Sequence, residues 1–82
     1  MNKGEEFIKQ VETILNNRIG KIIAVSVLKN NLSKLNKNAA SLTKEDGKVL
    51  AENIVKAVSL FETKDESKLI KADLEKLLAM LE

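Results

Sequence analysis

Not one proline interrupts this chain, and its three glycines stand alone at positions 4, 20 and 47. A backbone that turns often needs such residues, so a sequence this poor in them has few turns and favours long helices over many short strands. At 82 residues it is read as a single domain, 1–82.

Four segments carry helical periodicity. Phe7, Ile8, Val11, Ile14 and Leu15 share one face at about 100° per residue, and Glu5 and Glu6 complement the start of that helix. Val25, Leu28, Leu32, Leu35 and Ala39 make a second stripe, rotated by roughly a quarter turn from the first. A straight helix across both would present two faces. The spacing therefore predicts a break within Asn16-Asn17-Arg18-Ile19-Gly20, where Asn and Gly tolerate a left-handed cap. Thr43-Lys44-Glu45-Asp46 opens a third helix, with Val49, Leu50, Ile54, Ala57, Val58 and Phe61 on one face. Thr63-Lys64-Asp65-Glu66 reads as a capping box, followed by Leu69, Ile70, Leu74, Leu77, Leu78 and Leu81.

The expected fold is all-α, a small antiparallel bundle of four helices at about 4–17, 20–37, 44–61 and 64–81. The alternative has three helices, the first long and kinked. Residues 22–28 are rich in β-branched residues and apolar nearly all round, so a strand competes there. Helix is preferred because no other segment offers a strand partner. In either form the segment is expected to be buried.

The third and fourth segments align at a spacing of 20 residues, with Thr43/Thr63, Lys44/Lys64, Lys48/Lys68, Lys56/Lys76 and Glu62/Glu82 identical. Two amphipathic helices built from Leu, Lys, Glu and Ala often look alike, so this is weak support for a duplication. The differences say more. Ala51 and Val55 become Lys71 and Glu75, so the third helix is the more apolar of the two. It is expected to sit centrally or to carry a subunit interface.

Catalytic chemistry is poorly supplied. There is no His, Cys, Tyr or Trp, so Ser-His and Cys-His nucleophiles lack their base and histidine phosphotransfer is excluded. The isolated glycines form no phosphate loop. Ser26 and Lys29 lie within one turn, but a helix-interior Ser beside a solvated Lys is the simpler account. The carboxylate pairs Glu5-Glu6, Glu45-Asp46 and Asp65-Glu66 each fall in the first turn of a predicted helix, where capping chemistry places them. No enzyme activity, cofactor or metal is expected. No apolar run approaches the ~20 residues of a membrane span, and the protein is expected to be soluble and cytoplasmic.

Charge is unevenly distributed. Between Thr13 and Lys44 no acidic residue occurs, while Arg18, Lys21, Lys29, Lys34, Lys37 and Lys44 do. These six are the candidate contacts for nucleic acid, through phosphates. One arginine and no aromatic is a thin set for that role, and solvated or intramolecularly paired lysines are the plainer reading. The leading expectation is a non-enzymatic interaction or structural module that binds a second copy of itself, as a dimer, or a partner helix. Its candidate interface is Ile22, Ile23, Val25, Ala51, Val55 and Val58. With few aromatics and no disulfide, so small a chain has reason to enlarge its core by association.

Overall fold

A computed structural model of the protein describes residues 2–81. Glu82, the last position of the 20-residue similarity, lies outside them. Four helices follow in order: α1 (Lys3–Ile19), α2 (Lys21–Leu35), α3 (Lys44–Val58) and α4 (Lys64–Leu77). Short 3-10 turns at Ala39–Ser41 and Leu78–Leu81 complete the fold. Residues 22–28 are helical, and among the described residues there is no strand.

Side chains set most of the helix starts. Asn2 accepts the amide of Glu5 at 2.8 Å, and the Glu5 carboxylate takes the Asn2 amide in return. Thr43 and Asp46 close the same reciprocal box at the head of α3. At α4 only half of the expected box forms: Thr63 Oγ1 accepts from the Glu66 amide at 3.1 Å, and Glu66 instead turns to Arg18. The start of α2 has no side-chain cap and no acidic residue in its first turn.

The break between α1 and α2 falls on Gly20 alone. Its φ of 87° and ψ of 153° belong to a region that only glycine occupies readily. The two helices thus remain separate, as their phase shift implies, and the long kinked alternative is not adopted. Asn36 stops α2 two residues before the expected end by adopting the left-handed conformation. Ser59 ends α3 early too, its hydroxyl bonding the Val55 carbonyl at 2.8 Å. Leu60 and Phe61 then fall in the connecting turn rather than on the helix.

The helices form a ring. Each packs on its chain neighbours, α4 returns to α1, and across the diagonal contact is made through side chains, with Phe7 of α1 reaching Gly47 of α3. The ring alternates in direction, because Lys37 reaches Asp46 at one end and Ser59 reaches Ser67 at the other. No helix is central, so the position expected for α3 is not found. Its wider apolar stripe is used in the ring itself.

Phe7, Val11 and Leu15 from α1, Ala24, Val27 and Leu28 from α2, Leu50, Ile54 and Val58 from α3, and Ile70 and Leu74 from α4 fill the centre. Burying each of the larger ones contributes about 1.5–3 kcal/mol. The Cα radius of gyration is 11.5 Å, against about 11.7 Å for a well-packed chain of this length. Two glycines let neighbours close in. A Cβ on Gly4 would strike the Ala39 carbonyl of the first 3-10 turn, and one on Gly47 would come 2.5 Å from Leu81 Cδ1.

Several apolar positions assigned to buried stripes or to the buried segment 22–28 are about half exposed: Val49, Phe61, Leu69, Ile23 and Val25. Ile22 is almost fully exposed. The expectation that residues 22–28 are buried therefore holds only for Ala24, Val27 and Leu28. Each helix turns one stripe to the ring, and a segment apolar all round has residues left over.

Candidate interaction surface

The six interface candidates separate onto four parts of the bundle. Ala51 and Val58 turn inward and belong to the core. Val58 is fully enclosed, whereas Ala51 also lines the groove between α3 and α4. Val55 is half-buried beside Ala51 in a groove of about 770 Å³ between α3 and α4. Lys44, Lys48, Lys56 and Lys71 rim that groove along with Glu52 and Glu75. Val25 lies in a second groove, of about 730 Å³, between α1 and α2, with Ile8, Leu28 and Leu32. Ile22 and Ile23 occupy the first turn of α2 at one end of the bundle.

That end contains two chain connections, Gly20 and the turn 59–63. Since α2 and α3 are antiparallel neighbours, the first turn of α2 and the turn after α3 share it. There the exposure of large apolar side chains is greatest: Ile22 at 86 % and Leu60 at 87 %, with Phe61 and Ile23 about half exposed. Leu60 was not among the expected interface residues, and Phe61 was assigned to a buried stripe. A signal for both exists in the sequence. Thr63 caps α4, which places the residues just before it in a linker rather than in helix.

The basic segment does not gather into one patch. Arg18 spans from α1 to α4, meeting Glu66 at 3.4 Å and Asp73 at 3.3 Å. Lys37 meets Asp46 at 2.8 Å across the connection into α3. Lys29 and Lys37 line the groove between α1 and α2, Lys44 the groove between α3 and α4, and Lys21 stands beside Ile22. Lys34 is exposed near the far end of α2. Among the described residues, Asp46 is the one carboxylate whose ionisation the fold clearly shifts. The Lys37 ammonium, and then the Thr43 amide, hold it below its ordinary value of 3.8. Both contacts are structural, fastening the connection to the head of α3.

Among the described residues, no cluster of His, Cys, Asp or Glu is arranged to hold a metal ion. No described helix is long and apolar enough to cross a membrane. Comparison with protein-family models, with curated proteins and with solved structures gives no match.

Proposed function

We propose that this protein is a non-enzymatic interaction module that self-associates through the apolar end of its bundle. The observation that carries this reading is that Ile22 and Leu60, both more than four-fifths exposed, lie at the same end of an otherwise closed ring. Together with Ile23 and Phe61 they leave on the order of 500 Å² of side chain uncovered at that end. Isolated apolar side chains on a surface need no explanation, whereas four at one end favour a partner. Nucleic-acid binding through residues 18–44 draws less support, since Arg18 and Lys37 already pair with carboxylates of this chain.

The test is sedimentation of the whole chain over a range of concentrations, compared with Ile22→Glu, Leu60→Glu and Val55→Glu. The first two variants are expected to be monomers with unchanged helix content and thermal stability. Val55→Glu is expected to keep the association, because that residue lies in the separate groove between α3 and α4. A wild-type chain that stays monomeric throughout, or one dissociated only by Val55→Glu, would overturn the assignment.

A further inference from the structure

We propose that the apolar end docks on the same end of a second copy about a two-fold axis, with Lys21-Ile22-Ile23 of each copy lying on Leu60-Phe61-Glu62 of the other. This rests on the reading that the end is a docking surface, and it adds the register and the charge pair that selects it.

The two corners of the end are built as complements. One is the first turn of α2, with two exposed isoleucines behind a lysine. The other is the turn after α3, with an exposed leucine and phenylalanine ahead of a glutamate. Each corner thus carries two apolar side chains and one charge, and the charges are opposite. A two-fold operation brings each corner onto its opposite in the other copy, so both apolar surfaces are covered and two Lys21–Glu62 pairs form at once. Near this end Arg18 already holds Glu66 and Asp73 inside the chain, while Lys64 and Asp65 enter no ion pair among the described residues. Among the described residues, Lys21 and Glu62 take part in none of the ion pairs.

The backbone favours the same register. α2 is the one helix of the four whose start has neither a side-chain cap nor an acidic residue in its first turn. Its first amides and the positive end of its dipole therefore face outward beside Lys21. A carboxylate brought there by another copy meets both. Covering the end twice removes roughly 1,000 Å² in all, the lower bound for a specific interface. An interface at that bound belongs to the weak, transient class.

The decisive experiment is charge exchange followed by sedimentation equilibrium on the whole chain. Lys21→Glu and Glu62→Lys each place like charges across the interface, and each is expected to weaken the dimer at least tenfold. An equimolar mixture of the two variants is expected to recover wild-type association, since a mixed dimer has opposite charges at both contacts. Lys21→Glu adds an acid to the first turn of α2, which favours that helix, so loss of association cannot be ascribed to unfolding. A wild-type chain monomeric at about 1 mM overturns both the docking reading and this proposal. If Ile22→Glu dissociates the dimer while the charge variants do not, or if the mixture fails to recover, the register is wrong and the docking reading survives.

Discussion

Replacing Gly20 with alanine is expected to turn the two helices it separates into one. At φ 87° and ψ 153° an L-residue carries a backbone cost of about 1–3 kcal/mol. No atom lies within 4 Å of the added Cβ, so packing neither adds to that cost nor offsets it. In the straight alternative, alanine is better than glycine by about 1 kcal/mol. The balance between bent and straight forms therefore moves by about 2–4 kcal/mol, a factor of roughly thirty to one thousand. A continuous helix over residues 3–35 is about 50 Å long at 1.5 Å per residue, well beyond the 32 Å longest dimension of the monomer. Its second half cannot fold back, so it must pack in another copy as an exchanged dimer. The assay is urea unfolding followed by far-ultraviolet circular dichroism, since the chain has no Trp or Tyr, with small-angle scattering for length. Both are done with Ile22→Glu present, to keep the end-to-end dimer apart. D-alanine at position 20 is the control, because its mirror-image preferences suit a positive φ. A Gly20→Ala chain within about 0.5 kcal/mol of its parent, with unchanged scattering, would refute the argument.

Three further outcomes follow from the close approaches and from the shifted carboxylate of Asp46. Gly4→Ala should destabilise by about 1–3 kcal/mol, since its Cβ meets backbone at Ala39, which cannot yield without moving the 3-10 turn. Gly47→Ala should cost far less, because its nearest neighbours are the ends of the Leu81 and Leu78 side chains and the helix gains about 1 kcal/mol from alanine; thermal melts of the pair check the contrast. Asp46→Asn should flatten the acid dependence of stability. The folded pKa of Asp46 lies below its ordinary value of 3.8, so its contribution is present above about pH 4 and is lost as pH falls through the depressed value. Denaturant midpoints measured from pH 6 down to pH 2 should fall less steeply in Asp46→Asn, and an unchanged slope would remove Lys37 and Thr43 as the cause.

The four helices were legible because burial needs a stripe of period 3.6, and Phe7-Val11-Leu15, Leu50-Ile54-Val58 and Ile70-Leu74 keep it. The phase shift between the first two stripes was enough to place a break near Gly20, since no straight helix can aim two faces at one core. Thr43 and Thr63 marked helix starts by local chemistry alone. The cap at Asn2 escaped notice, although its capping partner is only three residues away.

Which apolar residues are left uncovered was a different matter. Val58 and Phe61 are three positions apart on one predicted face, yet Val58 is buried and Phe61 half exposed, because Ser59 ends the helix between them. Ile22 and Val27 are alike in type, and only the placement of α1 and α3 around α2 decides that Val27 is covered and Ile22 is not. Gly4 and Gly47 likewise owe their size to residues 35 and 34 positions away, Ala39 and Leu81. Periodicity is a property of one helix and can be read along the chain. Exposure is a property of the ring, set by how neighbours abut, and the apolar end that Ile22 and Leu60 form exists only once α2 and α3 lie side by side.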